Sequence, residues 1–371
     1  MNFHPAFSPA AQYLPPTASA SAQPLTDSSY SKVFHSLHES SLVESSLESD
    51  VKRFMEIAKK KLNDRNIVVS PYLISKTDKV SIDLLGLLQR GQSDISDKPD
   101  NPAVHSSLAK LHFFSKNTSI DTTLEQLGVP CTSSRQLDQQ GYDNVTQRLN
   151  EQIAKDTNGV ITNLLNPGVL KDPNTAFLLV SWLFQQVSWE QPFMVKPQIY
   201  STNMTWDGNK QPEIVWMESG KGTNLIAYKN ISDFEFIALP VKESGLNAVF
   251  IMPPKAAQQE HSDRVSHILT KGLISLFERE CVQGHVALHL PKYQFDYVYE
   301  EDYPELLGSG KHRANLSINE AGAHVAAAFA LLGGGMPEEL QINRPFYFFM
   351  IYGQGEESSL VGAAYIKQPW G

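Results

Sequence analysis

Ser, His and Asp are all present in this chain, which has 11 histidines, so hydrolytic chemistry is the first possibility to test. A serine nucleophile on a strand-to-helix elbow needs Gly-x-Ser-x-Gly, because small residues must let the backbone turn sharply beneath the exposed hydroxyl. That pattern does not occur. His-Glu-x-x-His, which sets two imidazoles one helical turn apart on a zinc ion, is absent as well. The histidines show no metal-ligand spacing. Gly333-Gly334-Gly335 has the composition of a phosphate loop but lacks the following Lys-Ser/Thr and the preceding strand. His312 reads as a core hydrogen-bonding residue rather than a general base. The sequence therefore argues against an enzyme.

The most informative stretch runs from His312 to Leu332. Ala314, Leu316 and Ile318 alternate with Arg313, Asn315, Ser317 and Asn319, the period of a strand with one buried face. Glu320-Ala321-Gly322 follows, then small and apolar residues without a turn former until Gly333. Ala323, Val325, Ala327, Phe329 and Leu331 would share one face if that run became a strand. Such a run suits a flexible loop that can also be strand. A buried helix is the alternative, since Ala and Leu are good helix formers.

Several elements must position this stretch. Val33 to Leu62 has a loose helical spacing and predicts one or two helices. Asn66 to Val69 is a short β-branched run ended by Ser70-Pro71. Val145 to Leu165 opens with a helical face that Asn158-Gly159 closes, at positions that tolerate φ > 0. Phe177 to Phe184 is continuously apolar, as in a central strand buried on both faces. Phe236–Pro240 and Leu246–Pro253 predict a hairpin turning at Lys242-Glu243-Ser244-Gly245. Val286–Tyr293 alternates before its Pro and predicts a further strand. Residues 1–28, rich in Pro, Ala and Ser, predict a disordered leader.

Composition bounds the rest. The chain has 371 residues, 41% hydrophobic and 19% charged, enough for a large core. A net charge of −9 argues against nucleic-acid binding, and the one basic cluster, Lys59-Lys60-Lys61, reads as a solvated helix face. Cys131 and Cys281, the 2 cysteines, cannot build a disulfide framework or a zinc cluster; one bridge or two buried thiols remain open. No run of about 18 apolar residues exists to span a membrane. The N-terminus lacks a charged start followed by an apolar run. Acceptor patterns for N-glycosylation occur at Asn117, Asn144, Asn203, Asn230 and Asn315.

Together these segments resemble the serpins, the serine-protease-inhibitor superfamily, over about residues 60–369. His312-Arg313-Ala314, Glu320-Ala321-Gly322 and Ala323 to Ala330 are similar to the strand, hinge and reactive loop of that family. Asn66-Ile67 with Ser70-Pro71 matches the end of its core strand. Leu149-Asn150, Ile153, Thr157, Gly159 and Ile161 match a family helix and its exit, and Asn343–Phe349, Leu360-Val361-Gly362 and Pro369 match the family's closing strand pair. Trp189, Pro192 and Phe193 match the end of a main-sheet strand, on which Ser181 replaces the family's Asn, Gln185 its Phe and Val187 its Gly. The family helix after Ser-Pro is expected at Ser107-Leu108-Ala109-Lys110-Leu111, which makes residues 72–100 an inserted loop. The text between Gly128 and Val145, and between Leu307 and His312, looks too short for the family's strands and helices. A main sheet short of strands is therefore expected.

The resemblance implies an α+β serpin fold, with a mixed central sheet, packed helices and a mobile reactive loop, as one domain over residues 29–371. It implies an inhibitor that acts as a suicide substrate, its cut loop inserting into the central sheet. The hinge would be Glu320, Gly322, Ala323, Val325 and Ala327. The sheet-opening region would be Ser70, Ser181, Trp189 and His312. Counting from Glu320 puts the reactive bond at Met336–Pro337. A cut after Leu331 or Leu332 would suit a chymotrypsin- or elastase-like serine protease. The implied protein is an extracellular monomer without cofactor, metal, membrane or nucleic-acid partner. The helix that binds heparin in some relatives has no counterpart, so no heparin activation is expected. A non-inhibitory member, a hormone carrier or a peptide precursor of the angiotensinogen kind, is the other reading: Gly128-Val129-Pro130 has a faint likeness to the latter.

Overall fold

The computed structural model describes residues 47–61, 66–75, 78, 109–116, 121, 131–171, 177–186, 189, 192–195, 204–211, 213–219, 225–242, 246–254, 263–277, 282–303, 308–320, 338–353 and 358–370. In chain order these form helix α1 (Leu47–Lys60), strands β1 (Asn66–Val69), β2 (Ala109–Ser115) and β3 (Cys131–Thr132), and helices α2 (Ser134–Gln140) and α3 (Tyr142–Asp156). Then come β4 (Phe177–Gln186), β5 (Phe193–Val195), β6 (Thr205–Trp206), β7 (Asn209–Lys210), β8 (Trp216–Ser219), β9 (Leu225–Ile231), β10 (Phe234–Pro240) and β11 (Leu246–Met252). Helix α4 (Asp263–Phe277), β12 (Val282–Pro291), β13 (Tyr293–Tyr303), β14 (Gly308–Ile318), β15 (Glu338–Gln341), β16 (Phe346–Tyr352) and β17 (Ser359–Ile366) complete the chain.

Most of the strands fall into two sheets. A 10-stranded sheet runs β1-β17-β16-β11-β10-β9-β12-β8-β5, with β15 paired to β12. A 5-stranded sheet runs β13-β14-β4-β2-β3. The 10-stranded sheet buries one face under α1 and α4, where Phe54, Phe236, Phe349 and Ile351 meet Leu269 and Leu273. At Gly272 of α4 the ring of Phe236 lies where a Cβ would be, so only glycine lets helix and strand approach this closely.

Central strand β4 obeys the two-residue period on both faces. Leu178, Val180 and Trp182 pack in a cluster with Leu149 and Ile153 of α3, while Leu179 and Ser181 line a cavity on the opposite side. The predicted hairpin is present as antiparallel β10 and β11, and the closing strand pair as antiparallel β16 and β17. Helix α3 ends where Asn158 and Gly159 take positive φ, 50° and 79°.

Three expectations are corrected. Ala109–Leu111 belong to strand β2, not to a helix: the whole of Ala109–Ser115 pairs antiparallel with β4. A short run without strong periodicity takes the conformation its sheet neighbour imposes, because tertiary pairing outweighs local helix propensity. Consequently the main sheet is not short of strands. β2 and the two-residue edge strand β3 occupy the side that looked empty, and Gly308–Lys311 supply the first rungs of the ladder of β14. Third, the short text after Gly128 still holds helix α2, whose start is a capping box: Gln136 N donates to Ser133 Oγ and Ser133 N donates to Gln136 Oε1. Residues 71–75, most of them expected to open an inserted loop, form a helical turn with Tyr72, Leu73 and Ile74 buried. The leader, Cys281 and most of the remainder of that loop lie outside the described residues.

Candidate functional site: the seam between β4 and β14

β14 pairs with β4 in parallel, from Gly308 opposite Phe177 to Ser317 opposite Gln186. On its other edge β14 pairs antiparallel with β13 along its whole length. The register sets His312 directly beside Ser181. Ser181 Oγ lies 2.7 Å from His312 Nδ1, and Ser70 N donates to His312 Nε2 at 3.0 Å. Ser70 in turn caps the helical turn after β1: its Oγ accepts from Leu73 N and donates to Val361 O on β17. One imidazole thus ties β14 to β4 and to the 10-stranded sheet.

The hydrogen bonds fix the protonation state. A backbone N–H can only donate, so Nε2 of His312 carries a lone pair and Nδ1 carries the proton. Nδ1–H therefore donates to Ser181 Oγ. This Ser–His pair has the wrong polarity for nucleophilic catalysis, since a general base must take the serine proton on that nitrogen. Burial reinforces the neutral state: His312 is 4% exposed, Ser181 2% and Ser70 0%. Desolvation pushes the His312 pKa down from 6.5 to about 3. A cavity of about 10 Å³, roughly the space of one water, adjoins the pair between Ile74, Tyr299 and Glu301.

Further contacts cross or close the same seam. At its upper end Trp189 Nε1 donates to Asn319 O at 2.8 Å and Phe193 N donates to Glu320 O at 3.0 Å. Trp189 is held by rings of Phe193 and Phe250, at 5.6 and 6.3 Å. Glu320 is paired with Lys292 at 2.9 Å, which lowers its pKa below the usual carboxylate value. Lower down, Arg313 of β14 forks onto Asp296 of β13 and donates through Nη1 to Asn163 O at 3.2 Å, on the segment after α3.

Four of the sequence-predicted residues therefore stand along one seam: Ser70, Ser181 and His312 in contact, and Trp189 at its end beside Glu320. Gly322, Ala323, Val325, Ala327, Met336 and Pro337 lie outside the described residues. Sequence reasoning missed Lys292, Asp296 and Asn163 as parts of the site. Only the Arg313–Asp296 pairing had a local signal, opposite charges on alternating strands.

Comparison with known proteins decides the family. A family model described as "Serpin (serine protease inhibitor)" matches residues 88–307. The chain belongs to the serpin family. Serpins are not enzymes, which agrees with the polarity of the Ser181–His312 pair. Among curated serpin relatives, "Alpha-1-antiproteinase S" of Cavia porcellus is 24% identical over 231 residues, 55% of each chain. "Alpha-1-antiproteinase 2" of Equus caballus is 24% identical over 241 residues, 58% of this chain and 54% of its own. The chain spans about half the length of the curated relatives it matches. Among solved structures, human thyroxine-binding globulin complexed with thyroxine superposes with TM-score 0.61 at 17% identity, covering 89% of this chain and 99% of its own. Human glycosylated kallistatin gives TM-score 0.62 at 16% identity, covering 91% and 99%. These likenesses establish the α+β serpin fold.

Proposed function

We propose that this serpin inhibits a serine protease as a suicide substrate, its cut loop entering the 5-stranded sheet between β4 and β14. The observation that carries the reading is the seam itself. β4 and β14 are parallel neighbours, and the chain leaves the end of β14 through Glu320. A segment that doubles back at Glu320 would run antiparallel to both. Insertion would then exchange one parallel ladder for two antiparallel ones, the slightly more stable pairing per residue. The protease serine would attack the bait carbonyl to form an acyl ester, and insertion would drag the esterified enzyme along before water could release it.

The hinge assigned to this motion is Glu320, Gly322, Ala323, Val325 and Ala327, of which Ala323, Val325 and Ala327 would give the inserting segment a small, apolar inward face. Ser70, Ser181, His312 and Trp189 are assigned to hold the seam closed until then. The bait bond is assigned to Met336–Pro337, with a cut after Leu331 or Leu332 by a chymotrypsin- or elastase-like enzyme as the competing position. The working protein is an extracellular monomer, a single domain over residues 29–371 behind a leader at 1–28.

Thermal melting before and after nicking the loop with a broad protease tests this on one sample. A steep rise in Tm on nicking, followed by covalent complexes with chymotrypsin or elastase, supports it. An unchanged or lower Tm overturns insertion and leaves the alternative, a non-inhibitory serpin acting as a hormone carrier or a peptide-precursor scaffold.

A further inference from the structure

Of the Asn-x-Ser/Thr patterns, those at Asn144, Asn230 and Asn315 fall on described residues, and their surroundings differ. Asn315 lies within β14 between β13 and β4 and is only 4% exposed. A sugar on its amide has no path to solvent while the seam is paired. Asn144 is exposed on the first turn of α3, but its hydroxyl partner Thr146 is 4% exposed and bonds Tyr142 O at 2.8 Å. Asn230 differs from both. It is exposed, and so is Ser232. Ser232 and Asp233 form the two-residue turn between β9 and β10, with φ of 49° and 68°. Positive φ at both central residues marks a primed hairpin turn, a convex tip from which side chains point outward.

We propose that Asn230 is an N-glycan acceptor and that Asn315 is not modified in the folded protein. The proposal rests on the reading that the chain is extracellular. In the transfer, the Asn230 side-chain nitrogen attacks C1 of an oligosaccharide carried on a lipid diphosphate. The N–C1 bond forms, the C1–O bond to the diphosphate breaks, the amide loses one proton to a base of the transferase, and the lipid diphosphate leaves. The turn belongs to the 10-stranded sheet, whereas β4 and β14 belong to the 5-stranded one. A glycan at Asn230 is therefore compatible with opening of the seam.

The test expresses the full chain behind a supplied signal peptide in secreting mammalian cells and counts glycans on the secreted protein by mass, with and without peptide N-glycosidase. Asn230→Gln should remove one glycan, and Ser232→Ala, which keeps the asparagine but destroys the pattern, should remove the same one. Asn315→Gln should leave the count unchanged. A wild-type glycan count that Asn230→Gln does not lower overturns the proposal, as does any loss in Asn315→Gln. Because the signal peptide is supplied, these outcomes stand apart from whether the chain exports itself. That separate reading fails if the native protein, followed by antibody in the tissue that makes it, is found only inside the cells.

Discussion

The two larger sheets among the described residues are held together by different means. In the 10-stranded sheet, β11, β16 and β17 are antiparallel and apolar along their length, with Phe250, Phe346, Phe348 and Phe349 all buried and Phe250 and Phe348 ring centroids 5.0 Å apart. At the β4·β14 seam the pairing is parallel and the side-chain contact Ser181–His312 across it is polar, as are Ser70–His312 and Arg313–Asn163, which tie β14 to its surroundings. Apolar packing is costly to undo because each buried methylene returns to water. A hydrogen bond can be exchanged for another of the same kind at small net change. The contrast suits one sheet to permanence and the other to rearrangement.

The comparison is most exposed to mutation in the aromatic sheet. Phe348→Ala should cost about 3–5 kcal/mol, because the cavity left between β11 and β16 cannot collapse; urea denaturation at neutral pH reads this directly. A loss below that of the seam variants would erase the distinction between the sheets. Gly272→Ala sharpens the same point from outside the strands. Its Cβ would overlap the Phe236 ring, so a loss of about 1–3 kcal/mol is expected from overpacking.

At the seam, acid is the sharper probe. His312 has a pKa of about 3 when folded, against an ordinary value of 6.5. Between those values the unfolded chain binds a proton that the folded chain refuses. Stability should therefore rise with pH across that window, by at most about 1.4 kcal/mol per unit from this one group, and be fully present above 6.5. The His312→Gln variant should lack that component of the slope when unfolding is followed from about pH 3 to pH 7. Parallel curves for the two proteins would mean that His312 does not stay neutral in the fold.

Ser181→Ala should cost about 1–3 kcal/mol, since it leaves the buried Nδ1–H of His312 without its acceptor. On the proposed mechanism, the same variant should insert its nicked loop faster. Slower insertion would show that the pair assists opening rather than resisting it. The smallest effect belongs to Glu320→Gln. Its partner Lys292 is 42% exposed along the side chain, so the pair should contribute no more than about 1 kcal/mol and lose that in high salt.

Much of the fold was readable from the chain alone. Phe177 to Phe184 read as a strand, the two apolar runs Phe236–Pro240 and Leu246–Pro253 read as the pair now seen as β10 and β11, and Asn158-Gly159 announced a helix end. Those signals are local: the period of the side chains and the φ of single residues suffice. The alternation of His312 to Ile318 likewise marked a strand, and its resemblance to a family hinge pointed to the seam.

What pairing decides was not legible in the same way. Ala109–Ser115 has no local preference strong enough to choose, and its strand exists because the backbone of β4 offers an open edge. Thr132 joins an edge strand of two residues, too short for any pattern to announce. Asn315 sits on the polar side of the alternation yet is buried, because β14 lies between two neighbours within a covered sheet. The direction of the Ser181–His312 hydrogen bond depends on Ser70, which is 242 residues away along the chain and reaches the ring only through the fold. Sequence determined which segments could be strands, through side-chain periodicity. Tertiary structure alone decided which strands stand together and which nitrogen holds the proton, because both depend on groups that only folding makes neighbours.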